Sequence, residues 1–228
     1  MLCDWAKLPI SDDEFLDKIR ALQARYFPTT QLLPGVEDML QRLRKTGVQM
    51  ALATSSTTRN FNLKTAHLGH VFEKFDPALV VRGDDPRLPK GRGKPAPDIF
   101  LLALQTINDS LAASGKPEIH PEECLVFEDS VPGVEAGRRA GMQVVWCPHE
   151  GLMGVYQDRK AEVLAGSTGQ HKDDGSNDDA AWERKRDEWV GQGREHARVR
   201  GRIGEIDDGW AILYNSLENF SLDFYGIV

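Results

Sequence analysis

Apolar residues recur along this chain in two rhythms, and the change from one to the other divides it. Over residues 12–26 they fall three or four apart, at Phe15, Ile19, Leu22 and Tyr26, which predicts an amphipathic helix. Ser11 precedes the run and Glu14 follows three residues later, a capping-box pattern. The stretch Phe27-Pro28-Thr29-Thr30-Gln31-Leu32-Leu33-Pro34-Gly35 breaks the period and predicts a connector between two structural units. A second helix is predicted over residues 36–45, with Met39, Leu40 and Leu43 inward and Gly47 at its end.

From Val48 onward, short apolar runs alternate with helical segments. Strands are predicted over residues 48–53, 78–81, 124–127 and 144–147, and helices over 57–69, 97–107 and 131–140, the last closed by Gly141. That alternation implies an α/β fold, a parallel sheet with helices on both faces. Ligands bind such sheets at the carboxyl ends of the strands.

Residues 166–208 follow neither rhythm. They are rich in Gly, Asp, Arg and Glu, with Trp182 and Trp189 among few large apolar groups. This composition predicts a polar surface insertion, partly disordered, with one short helix near 180–190. Asp173-Asp174 and Asp178-Asp179 flank a Gly-Ser-Asn turn, but their spacing does not fit an EF-hand loop. Regular patterning resumes at Trp210, with a short edge strand predicted over 211–214. The organisation is therefore four-part: 1–27, a core over 28–165, the insertion over 166–208, and a return to the core over 209–228.

Composition narrows the partners. The 228 residues carry a net charge of −7, which argues against nucleic acid or an anionic membrane surface as a ligand. No apolar run approaches the length of a membrane span. The opening Met-Leu-Cys-Asp-Trp-Ala-Lys lacks the basic-then-apolar pattern of a secretory signal. Cys3, Cys124 and Cys147 form neither a disulfide framework nor a metal cluster, and read as reduced thiols of a cytoplasmic protein. The six histidines show no metal-ligand spacing. There is no Gly-x-Ser-x-Gly elbow, no Gly-x-Gly-x-x-Gly and no Walker loop.

Three motifs carry chemistry. Ala51-Leu52-Ala53-Thr54-Ser55-Ser56 ends a strand and opens a helix, so a hydroxyl and backbone N–H groups there can bind phosphate oxygens; simple N-capping by Ser55, Ser56 or Thr57 is the competing account. Gly93-Lys94-Pro95-Ala96-Pro97-Asp98 holds a lysine in a proline-stiffened loop, where it can neutralise a phosphate and a neighbouring carboxylate; the competing account is an exposed lysine. The nearby Arg82, Arg87, Lys90 and Arg92 read as ordinary surface charge. Glu128-Asp129 follows Leu125-Val126-Phe127, and two acids at the lip of a buried strand suit a hard cation such as Mg²⁺. Against that stands a helix-capping acidic turn favoured by the helix dipole.

In this order the three resemble motifs II, III and IV of the haloacid dehalogenase-like phosphohydrolase superfamily. Within it the chain is similar to the subfamily of pseudouridine 5′-phosphatase and related sugar-phosphate phosphatases. The likeness extends through Phe27-Pro28, Leu33-Pro34-Gly35, Gly83-Asp84-Asp85-Pro86, 140–145 and 215–220. It implies a Rossmann-like core, with residues 1–27 as the remnant of a helical cap. It also implies Mg²⁺-dependent hydrolysis of a small phosphorylated metabolite: pseudouridine 5′-phosphate, a sugar phosphate or glycerol phosphate. Thr54 and the Ser55 backbone would bind the phosphate, Lys94 would stabilise the phosphoryl charge, and Glu128 and Asp129 would hold the metal.

The family's first motif, an Asp-x-Asp-Gly after the first core strand, is absent. Asp4 has no strand before it. The resemblance therefore implies a core without its first strand, in which the strands of motifs II and IV lack their shared neighbour. It implies a chain that is inactive as written and active in a longer form. The alternatives are a non-catalytic binder of phosphorylated metabolites and an interaction protein that uses the 166–208 insertion.

Overall fold

A computed structural model describes residues 2–169 and 203–228. The acidic turn and short helix predicted within the insertion lie outside the described residues. Helix α1 (Leu2–Trp5) leads into α2 (Asp12–Tyr26), whose N-cap Ser11 accepts from the Glu14 N–H at 3.1 Å. α2 has no buried residue, and Leu22 and Tyr26 of its apolar stripe are about half exposed. The period is helical, but α2 packs mainly against α1 and the turn Phe27–Thr29, so its apolar stripe is covered in part.

The core holds α3 (Val36–Thr46), β1 (Leu52–Thr54), α4 (Thr58–Thr65), α5 (Gly69–Phe72), β2 (Val80–Arg82), α6 (Asp98–Ala113), β3 (Leu125–Glu128), α7 (Val131–Arg139), β4 (Gln143–Trp146), α8 (Glu150–Tyr156), α9 (Lys160–Leu164) and β5 (Ala211–Leu213). All strand pairing is parallel, but it forms two sheets. β1 pairs with β2, with Ala53 opposite Val81; the second sheet has the order β3-β4-β5, with Val126 opposite Val144 and Val145 opposite Ile212. β5 is the predicted edge strand. Among the described residues nothing pairs with the outer edge of β1 or of β3.

β4 shows why a continuous apolar run is a buried parallel strand. Val144 and Trp146 enter one core with Ile99, Leu104, Val126 and Val134, while Val145 and Cys147 enter another with Met39, Leu43, Leu217 and Phe220. β1 is different: all three of its residues are half-buried. The predicted strand over 48–53 shrinks to Leu52–Thr54 because it has one neighbour rather than two.

Other differences have local causes. α6 runs to Ala113, beyond the predicted 107, because the polar run that looked like its end is tied down. Buried Asn108 accepts from the Ile119 N–H at 3.0 Å and donates to the Ile119 carbonyl at 2.9 Å, holding the following loop against the helix. α8 and α9 are short, and no period marks them in the sequence.

Arg138 of α7 is fully buried. It pairs with Asp208 at 2.8 Å and donates to the Glu205 carbonyl at 3.3 Å, while the Asp208 carboxylate also accepts from the Trp210 N–H at 2.9 Å. This pair anchors the segment that delivers β5 to the sheet. Removing one partner leaves a buried charge without its counter-ion, so Asp208→Ala should cost about 3 kcal/mol of stability in urea unfolding. A change within about 0.5 kcal/mol would show that the pair does not anchor β5.

Candidate functional site

Three loops meet at the carboxyl ends of β1 and β3. The first follows β1. Thr57 caps α4, accepting from the Asn60 N–H at 3.5 Å, so neither Ser55 nor Ser56 is the cap. Thr54 Oγ1 accepts from the Ser56 N–H at 3.2 Å, Ser56 Oγ accepts from Lys64 Nζ at 3.0 Å, and Ser55 is exposed at the turn. Gly83, just after β2, approaches this loop closely: a Cβ there would collide with the Ser55 carbonyl. Asp84 then accepts from the Thr58 N–H at 2.9 Å, which stitches the two loops together.

The second loop carries Lys94. Its side chain is only 9% exposed, which overturns the account of an exposed lysine. Nζ donates to the Ala53 carbonyl at 3.2 Å, lies 4.8 Å from the centre of the Phe100 ring, and forms an ion pair with Glu128. The loop is held from below by Arg92, whose guanidinium meets Asp98 at 3.0–3.2 Å, both side chains buried. Arg92 is thus not surface charge. It is the internal counter-ion of the first residue of α6. Arg87, by contrast, pairs with Asp85 at 2.7 Å and is half exposed, as surface charge should be.

The third loop follows β3. The Glu128 carboxylate is 5% exposed and accepts from Ser130 Oγ at 2.9 Å. Ser130 also caps α7 by accepting from the Gly133 N–H at 3.1 Å. A Cβ on Gly133 would run into the Glu128 carboxylate, so glycine is required there by space. Asp129 is exposed; its backbone carbonyl accepts from Trp146 Nε1 at 3.3 Å.

All five predicted residues therefore lie at one end of the fold. Lys94 and Glu128 touch, Thr54 is one residue past the carbonyl that Lys94 binds, and Asp129 and Ser55 stand at the exposed rim. For a cation the donors are right in kind. Mg²⁺ is commonly held by one or two carboxylates, with water and phosphate oxygens completing the octahedron. Asp129 faces solvent, and Glu128 is already engaged by Lys94 and Ser130. Among the described residues no group of three or more acidic, histidine or cysteine side chains forms a cage. Lys64 and Arg92 were missed as parts of this site; each looks like ordinary charge in the sequence, and only its partners, Ser56 for one and Asp98 for the other, set it apart.

A scan of family models matches residues 6–141 to the haloacid dehalogenase-like hydrolases. The chain belongs to that family. An uncharacterized protein of Schizosaccharomyces pombe is 39% identical over 72% of this chain and 66% of its own length. A probable pseudouridine-5′-phosphatase of Saccharomyces cerevisiae is 42% identical over 70% of this chain and 65% of its own length. A mitochondrial (DL)-glycerol-3-phosphatase of Arabidopsis thaliana is 36% identical, with 68% of this chain and 49% of that one covered. The chain thus spans from about half to two thirds of the length of these relatives. A crystal structure of a family member from Entamoeba histolytica shares the fold at a TM-score of 0.53 and 22% identity, over 70% of this chain and 67% of that one. In the present chain Asp4 lies in α1.

Burial also sets the thiols near the site. It is the main cause that raises Cys147, with Asp129 adding to it, and it pushes Cys124 up to about 12. At about pH 8 the Cys124 thiolate is then about one part in ten thousand, so neither thiol should react with iodoacetamide before the chain unfolds. Mass spectrometry of the native chain checks this; rapid labelling of Cys124 would contradict it.

Gly133→Ala forces its methyl against Glu128 and should destabilise the chain by about 1–3 kcal/mol. In a Glu128→Ala background the same substitution should cost much less. Additive costs in this double-mutant cycle would show that the cradle is not steric.

Proposed function

We propose that these residues form the phosphate- and metal-binding half of a phosphomonoester hydrolase. The substrate class is a small phosphorylated metabolite such as pseudouridine 5′-phosphate or a sugar phosphate. The observation that carries the reading is the buried Lys94–Glu128 pair beside the end of β1. A lysine paired with a carboxylate, next to a threonine hydroxyl and the exposed turn at Ser55, is a place for a phosphoryl dianion. The relatives named as a probable pseudouridine-5′-phosphatase and a (DL)-glycerol-3-phosphatase support the substrate class.

Thr54 Oγ1 and the Ser55 backbone take phosphate oxygens, and Lys94 neutralises one of them. Asp129, with Glu128 behind it, would hold Mg²⁺, which when bound supplies positive charge to the phosphoryl oxygens. None of these groups attacks phosphorus. A lysine already paired, a threonine at a turn and two metal-facing acids leave the nucleophile's place unfilled. We therefore read the complete enzyme as Mg²⁺-dependent and these residues alone as a binder without turnover.

The test is titration of the purified chain with inorganic phosphate, with and without Mg²⁺, beside a release assay on a phosphomonoester panel. Phosphate should bind more tightly with Mg²⁺. Lys94→Ala and Thr54→Val should each weaken binding by about ten-fold, the worth of one charge-assisted contact. No phosphate should be released from any ester. Absence of phosphate binding would refute the site. Turnover would refute the missing nucleophile, and its loss in Asp4→Asn would place that role on Asp4.

A further inference from the structure

Ser56, in the turn after β1, is held at every polar atom it has. Its N–H donates to Thr54 Oγ1 at 3.2 Å, its carbonyl accepts from the Gly83 N–H at 3.0 Å, and its Oγ accepts from Lys64 Nζ at 3.0 Å. We propose that Lys64 is a positioning residue of the phosphate-binding turn, acting through Ser56 on the hydroxyl of Thr54. The inference rests on the phosphate reading and adds to it a side chain from outside the three motifs.

The bond from the Ser56 N–H decides what Thr54 offers. A hydroxyl oxygen that accepts from one side turns its own proton elsewhere, so Thr54 is free to donate, which is the form that an oxygen of an anion needs. Ser56 thus sets the Thr54 hydroxyl, and Lys64 fixes the side chain of Ser56. Lys64 lies eight residues after Ser56, about two helical turns along α4. Helical side chains lean toward the N-terminus, so its ammonium reaches back to the start of its own helix. The residue is half-buried. Nζ stands 4.5 Å from the centre of the Phe27 ring, and the Lys64 carbonyl accepts from Thr30 Oγ1 at 3.1 Å. The connector before α3 therefore holds Lys64 from the side away from Ser56.

The helix itself has no use for this cation. Thr57 already caps α4, and the Asp84 carboxylate accepts from the Thr58 N–H at 2.9 Å and from Thr58 Oγ1 at 3.0 Å. A positive charge at a helix N-terminus opposes the macrodipole, so Lys64 weakens α4 where it stands. The same charge beside a turn that takes an anion is favourable. Its placement is accounted for by the turn and not by the helix.

The test is titration of the purified chain with inorganic phosphate in Lys64→Met, Ser56→Ala and the double variant, with urea unfolding and amide hydrogen exchange alongside. Each single substitution should weaken phosphate by about five-fold, and the double variant by about five-fold as well, because both remove one hold. Ser56→Thr keeps a hydroxyl and should stay within about two-fold of the unmutated chain. Exchange at the Ser56 amide should quicken by about ten-fold in Lys64→Met. Additive losses, about 25-fold in the double variant, would make Lys64 act on the anion without Ser56 and overturn the inference. Loss of stability in urea with unchanged phosphate affinity would make Lys64 structural and overturn it equally. So would unchanged exchange at the Ser56 amide, or full affinity in Ser56→Ala, a comparison that needs no Lys64 variant to fold. Absence of binding by the unmutated chain is the separate failure of the phosphate reading, and the inference falls with it.

Discussion

The ion pair between Lys94 and Glu128 is the constraint on which this end of the molecule depends. Among the described residues the two sheets share no strand, so no ladder of backbone hydrogen bonds sets the end of β1 against the end of β3. Lys94 bridges them, holding the Ala53 carbonyl with one proton and the Glu128 carboxylate with another. Both side chains are almost wholly out of water. Charges so placed are tolerated only when paired and hydrogen-bonded, and loss of either partner would strand the other. The Phe100 face adds a favourable electrostatic contact and bars water from one side.

What surrounds that pair serves to keep it in place. Ser130 holds the second Glu128 oxygen while capping α7, so the carboxylate is tied to the start of a helix. Gly133 leaves the room that the carboxylate needs. On the lysine side, the Arg92–Asp98 pair locks the loop to the first turn of α6. α6 in turn packs against β1 and β2. A chain of buried charges therefore runs from α6 through Lys94 to β3, and it does across the cleft what a shared strand would otherwise do. The cost of burying four charges is met by their pairing, which is geometry-dependent and does not tolerate displacement.

Patterning made the core legible and left its interior pairs obscure. The parallel strands were readable because β4 and β3 are apolar on consecutive positions, and α2 because Ser11 and its apolar period agree. Thr54, Lys94 and Glu128 were readable because each stands where a strand or loop meets a helix. Arg92 was not, since a buried cation looks in sequence like a solvated one until its counter-ion is located, and Lys64 was not, since its partners are the Ser56 hydroxyl and the Phe27 ring. The length of α6 was hidden by Asn108, whose side chain serves the following loop rather than solvent. The exposure of Leu22 and Tyr26 was hidden for another reason: periodicity states which face is apolar, not whether anything covers it.

Among the described residues the outer edges of β1 and β3 have no strand partner, and both strands end at the cluster of Thr54, Lys94 and Glu128. In a parallel α/β sheet the reactive groups sit on the residues just past the strand ends. Two of the strands contribute here: β1 offers Thr54 and Ser55, and β3 offers Glu128 and Asp129. A strand lying between them would project its own carboxyl end into the space bounded by Thr54, Lys94 and Glu128. A residue that such a strand placed there would meet the Lys94–Glu128 pair, whose position Lys94 sets through the Ala53 carbonyl and the Glu128 carboxylate.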